Sequence, residues 1–161
     1  WGLAECFPSS ADSPHHLWTG MTAFGWKPFT RGWTAAQRAV QLDIARRTYS
    51  WLLDEFRIQS INDCLYRDML RECRERGIRA ALFVMPESPR FRSWYPPGVR
   101  DQINDYLGKL SREFAVPIFD ASAWIDDEEA FMDGHHLLGV AAEPFSARFG
   151  RECVAPWVRG K

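Results

Sequence analysis

In the stretch Phe131-Met132-Asp133-Gly134-His135-His136-Leu137, an aspartate stands three residues before a histidine. A carboxylate that near an imidazole can accept its Nδ1–H, fix the tautomer and leave Nε2 free as a general base. Asp133 and His136 are therefore the candidate catalytic residues. The spacing also admits a purely structural role, in which Asp133 caps a following helix and His136 packs with its ring nitrogens satisfied. Adjacent histidines seldom converge on one ion, and no further ligand is evident, so no metal is assigned to Asp133, His135 and His136. No cofactor is expected.

Other chemistry-bearing residues carry weaker signals. Pro86-Glu87-Ser88-Pro89 abruptly ends an apolar run. Ligands of open α/β sheets collect beyond the C-terminal ends of strands. That makes Glu87, Ser88, Arg90 and Trp94 candidate substrate contacts, although a turn is the simpler reading of Pro-Glu-Ser-Pro and the loop residues could simply pack. His15-His16 sits in a loop-like segment and reads as exposed. Ser9, Ser10 and Ser13 lack an elbow motif such as G-x-S-x-G and are not assigned as nucleophiles. Asp126-Asp127-Glu128-Glu129 lacks the alternating ligand spacing of a calcium loop and reads as a solvated turn or helix start. The four cysteines show no C-x-x-C, so a zinc knuckle is not expected.

The elements that must position these residues follow from periodicity. Residues 1–33 are irregular, aromatic-rich and without a repeating period; they form one segment, and 34–161 the domain proper. Thr34 with Gln37 makes a capping-box pattern at the start of a helix whose apolar face is Val40, Ile44, Leu52, Leu53 and Phe56. Ser60 caps a second helix bearing Ile61, Leu65, Met69, Leu70 and Cys73, stopped by Gly77. Its run Arg71-Glu72-Cys73-Arg74-Glu75-Arg76 reads as a solvated face. Ala80–Met85 is a short continuous apolar run, the pattern of a buried parallel strand. A third helix spans about Val99 to Phe114, and a second strand Val116 to Phe119. A last helix runs from about Leu138 to Val154, with Pro144 expected in or near a first turn.

That order is α/β with a parallel sheet. Two strands make a poor sheet by themselves. The expectation is a C-terminal part of a larger domain, completed by an N-terminal segment of the same protein, and the chain begins at Trp1 rather than Met. Its 161 residues are 46% hydrophobic and 25% charged, with a net charge of −1. Bulk electrostatics thus gives no case for nucleic acid, and no apolar run reaches the length of a membrane span. The compartment is left open.

Together, the strand Ala80–Met85 ending in Pro86, the strand Val116–Phe119 ending in Asp120, and the D-x-x-H stretch before a final helix resemble the C-terminal half of an SGNH/GDSL-type hydrolase. The likeness covers roughly Ser60 to Phe149. It is nearest to the divergent branches similar to teichoic-acid D-alanyl transfer and alginate O-acetylation proteins. It implies a flavodoxin-like three-layer α/β/α fold and ester chemistry on an acylated small molecule or glycan. His136 would then be the base and Asp133 its orienting acid, with His135 one residue out of register and pointing elsewhere. No G-D-S or G-x-N-D occurs in the chain, and Ile61-Asn62-Asp63 lies in a helical context, so neither nucleophile nor oxyanion donors are visible. The alternative is a non-catalytic glycan- or protein-binding module on a degenerate hydrolase fold, using the aromatic segment and the loop Arg90–Tyr95.

Overall fold

The computed structural model describes residues 32–160. The chain divides between Arg31 and Gly32. Calls on Cys6, Ser9, Ser10, Ser13, His15 and His16 lie outside the described residues.

Helix α1 spans Ala35–Asp54. Its start is the expected capping box: Gln37 N–H donates to Thr34 Oγ1 at 3.2 Å, and Thr34 N–H donates to Gln37 Oε1 at 2.9 Å. The assigned apolar face is corrected in part: Leu53 is buried and Phe56 half-buried as expected, but the rest of the face is not. Val40, Ile44 and Leu52 are exposed, while Ala45 and Leu53 are buried and Leu42 and Tyr49 half-buried. The helix packs by the stripe Leu42, Ala45, Tyr49 and Leu53, which has spacings of three and four residues and is an equally good helical period.

Helix α2 spans Ser60–Glu75; its N-cap is Gln59, so Ser60 is already helical rather than the cap. Gly77, with φ +66°, turns the chain out of it. Strand β1 is Leu82–Val84, a short helix α3 is Pro89–Arg92, helix α4 is Val99–Phe114, and strand β2 is Ile118–Asp120. The strands pair in parallel, Leu82 opposite Ile118 and Val84 opposite Asp120. Both are shorter than the apolar runs. Pro117 has no N–H to give a ladder, although its carbonyl accepts Leu82 N–H at 2.8 Å.

Alternate strand residues face opposite sides, and each side is covered by helices. On one, Leu82 joins Leu70 of α2 with Leu110 and Phe114 of α4 in the buried core. On the other, Phe83 lies 4.4 Å, centroid to centroid, from Phe149, and Phe119 meets Phe149 edge-on at 5.9 Å. Phe149 ends helix α5, Gly139–Phe149. A π-helical turn, Gly150–Val154, leads on to α6, Ala155–Arg159. The last helical stretch therefore runs beyond the expected Val154. Pro144 lies past the first turn of α5, contrary to expectation. The intrahelical bond it removes is that to the carbonyl of Val140, a residue exposed to solvent. The result is a mixed α/β unit with a two-stranded parallel sheet. Among the described residues no helix is long and apolar enough to cross a membrane.

Candidate active site

Beyond β2 the chain makes a short 3₁₀ turn, Glu128–Ala130, and enters a tight loop. Phe131 is buried at its base and forms an antiparallel bridge with Leu137. Met132 N–H donates to the His136 carbonyl and Leu138 N–H to that of Ala130, both at 2.8 Å. Between these pins lie Asp133, Gly134, His135 and His136. Gly134 has φ +98°, and a Cβ there would come within 3.2 Å of Leu42 Cδ1 and Phe91 Cβ. Both the backbone conformation and the lack of room select glycine. The Gly134 carbonyl accepts Ser88 N–H at 2.7 Å, and the Ser122 carbonyl accepts Glu87 N–H at 3.1 Å. The loops after β1 and β2 are thereby held together at the C-terminal end of the sheet.

Asp133 is buried and uses both oxygens. Oδ1 accepts the backbone N–H of His136 at 2.9 Å and that of His135 at 3.3 Å. Oδ2 lies 2.7 Å from His136 Nδ1. A carboxylate at that distance holds the proton on Nδ1 and leaves Nε2 as the basic nitrogen. The His136 side chain is 63% exposed, and Nε2 has no hydrogen-bond partner among the described residues. Asp133 does not cap α5, whose N-cap Leu138 makes no side-chain bond.

His135 is not turned away as the register argument expected. Its Nδ1 lies 3.4 Å from Asp133 Oδ1 and its Nε2 3.3 Å from Tyr49 Oη. Gly134 curls the backbone so that both following residues face one carboxylate. The half-buried ring sits edge-on to Tyr49, with centroids 5.0 Å apart, and 5.1 Å from the Phe91 ring. Burial lowers its pKa below the ordinary 6.5, against the opposing pull of Asp133. Tyr49 and Phe91 were missed by sequence reasoning. The signal for Tyr49 was its place seven residues after Leu42 on α1.

Asp133, His135 and His136 each offer a donor atom, all within 4.8 Å of one another. Two imidazoles and a carboxylate suit a zinc-like cation. Here Asp133 Oδ2 and His136 Nδ1 are bonded to each other, so a cation using them would have to displace that bond.

The candidate substrate contacts lie nearby in other roles. Ser88 is fully buried, and its Oγ accepts Phe91 N–H at 3.2 Å as the N-cap of α3. Glu87 Oε1 accepts Tyr95 O–H at 2.6 Å, and Oε2 pairs with Arg100. Burial and this carboxylate push the Tyr95 hydroxyl well above its ordinary pKa. Trp94 packs on Phe91, with centroids 4.9 Å apart. The Arg90 side chain is exposed, while its N–H donates to Glu128 Oε1 at 2.5 Å. Arg92 bridges the two loops: one guanidinium nitrogen donates to the carbonyls of Glu87 at 2.6 Å and Ser122 at 3.0 Å, and the other pairs with Asp126. The acidic run is largely exposed and opens the 3₁₀ turn, as expected of a solvated turn or helix start, and it also ties elements together, since Glu129 pairs with Arg38 of α1. A cleft of about 140 Å³ beside the loop is lined by Arg38, Leu42, Arg90, Glu128, Phe131 and Gly134, among others, but not by either histidine. Among the described residues Cys64, Cys73 and Cys153 are free thiols.

No protein-family model, curated protein or solved structure matches this chain.

Proposed function

We propose that this chain carries the acid–base half of an SGNH-type serine esterase or O-acyltransferase, on a flavodoxin-like three-layer α/β/α fold. The observation that carries the reading is the 2.7 Å contact between Asp133 Oδ2 and His136 Nδ1, with the imidazole exposed just beyond the sheet's C-terminal end. Helices on both faces of a parallel strand pair support the architecture. The substrate class is an ester-linked acyl group on a small molecule or glycan.

In this mechanism His136 Nε2 takes the proton of a serine hydroxyl as its oxygen bonds to the acyl carbonyl carbon. The same proton then passes to the departing alkoxide, leaving an acyl-serine that water or an acceptor alcohol resolves. Asp133 stabilises the imidazolium formed in between. Among the described residues no hydroxyl lies within hydrogen-bond reach of Nε2, and Ser88 and Ser122 are buried. The nucleophile and the oxyanion donors are therefore assigned to a segment outside residues 32–160, and those residues alone are expected to be inactive.

The test is covalent labelling of the native protein with a fluorophosphonate, followed by peptide mapping. A labelled serine outside residues 32–160, with labelling abolished by His136→Ala, is the expected result. Undiminished labelling of His136→Ala contradicts the role of His136. A second reading, a non-catalytic glycan- or protein-binding module on the same fold, is favoured by the unpartnered Nε2; it would be upheld by native protein that takes up no label.

A further inference from the structure

We propose that Tyr49 and His135 are positioning residues that hold the Asp133 carboxylate, and through it the tautomer of His136. The key atom is His135 Nδ1. This atom is buried, has no well-aligned hydrogen-bond partner, and lies 3.4 Å from Asp133 Oδ1. Were it unprotonated, its lone pair would face a carboxylate oxygen across that gap, which is repulsive. Protonated, it turns an N–H dipole toward the carboxylate, an attractive contact even off the ideal line. The neutral ring carries one proton, so Nε2 is then the acceptor. Tyr49 supplies the matching donor, its hydroxyl 3.3 Å from Nε2.

The chain therefore runs Tyr49 O–H to His135 Nε2, His135 Nδ1–H to Asp133 Oδ1, and Asp133 Oδ2 to His136 Nδ1–H. Burial disfavours a charge on His135, so the ring stays neutral and does not compete with His136 for the proton in catalysis. Tyr49 is itself fixed by α1 and by the edge of the Phe91 ring, centroids 5.5 Å apart. The loop thus takes its orientation from α1 as well as from its own turn. With Oδ1 also accepting two backbone N–H groups, Oδ2 is the oxygen left for His136.

The role rests on His136 acting as the base, but its test needs no enzymatic activity. Ring ¹⁵N shifts of the native protein above neutral pH report which nitrogen of each histidine is protonated. Wild type is expected to hold His136 mainly as the Nδ1–H tautomer. His135→Phe keeps an aromatic ring against Tyr49 and Phe91 but removes the donor. It should lower the His136 ratio of Nδ1–H to Nε2–H by roughly two-fold, less than the about five-fold of one ordinary hydrogen bond because the contact is off line. His135→Asn sacrifices the ring but returns an N–H near the Nδ1 position, and it should keep the wild-type ratio. Tyr49→Phe should shift His135 itself toward its Nε2–H tautomer. A purely packing role predicts the opposite order, with Phe harmless and Asn damaging. That order, or a wild-type ratio in His135→Phe, overturns the proposal. If the tautomers respond as expected but no ester is hydrolysed, the positioning network stands and the esterase reading falls.

Discussion

The two oxygens of Asp133 do different work. Oδ1 closes the turn by accepting the amides of His135 and His136, and Oδ2 orients the His136 ring. The D-x-x-H spacing makes the second role legible in sequence, because a carboxylate three residues before a histidine can reach its ring nitrogen. The first role is not legible, since it depends on the positive φ of Gly134. Register placed His136 rather than His135 opposite the carboxylate, yet both imidazoles reach it. A one-dimensional spacing argument has no way to represent an aspartate with two acceptors and a backbone that curls. The pH behaviour of His135 follows from its burial. Its folded pKa lies below the ordinary 6.5. As pH falls through about 6.5 the unfolded chain takes the proton first. The stability due to neutral His135 is therefore present above that pH and is lost as pH falls toward the lower folded value. Urea unfolding at pH 7.5 and 5.5 should show His135→Phe losing less stability between the two than wild type does. Equal losses would mean that His135 is not held neutral by the fold.

At the scale of elements, the start of α1, the bounds of α4 and the turn at Gly77 were readable from local chemistry: a capping box, a repeating apolar period, a glycine after a charged run. The buried side of α1 was not. Val40, Ile44, Leu52 and Leu42, Ala45, Tyr49, Leu53 are both helical stripes, and only tertiary contacts decide between them. The partners of the acidic run were not readable for a related reason. Its partners Arg38, Arg90 and Arg92 lie on other elements, beyond the reach of local pattern. The loop Phe131–Leu137 is where these elements meet, and Gly134 is its tightest point. Gly134→Ala meets a positive φ and a Cβ pressed against Leu42 and Phe91. A loss of about 1–3 kcal/mol in chemical denaturation is expected, in the range of a residue forced into a sparsely populated backbone region. The His136 Nδ1–H signal should broaden with it, because the same peptide carries the carbonyl that Ser88 N–H holds. A neutral substitution would show the loop to be more tolerant than its packing indicates.

For the molecule as a whole, two apolar runs separated by helical periods were enough to read α/β with a parallel sheet. The extent of the sheet was not readable. Ladder length depends on where each strand finds its partner, and these pair over three residues each. Helices cover both faces of that pair, and the loops leaving its C-terminal end converge on one carboxylate and two imidazoles. The proposed roles of His136 as base and Asp133 as its orienting acid rest on this convergence. The most direct test is kcat/KM for hydrolysis of a short acyl ester by the native protein, wild type against His136→Ala. A fall of about 10³-fold or more, the scale on which loss of such a base acts, is the predicted result; equal rates for the two proteins would contradict the assignment of His136 as the base.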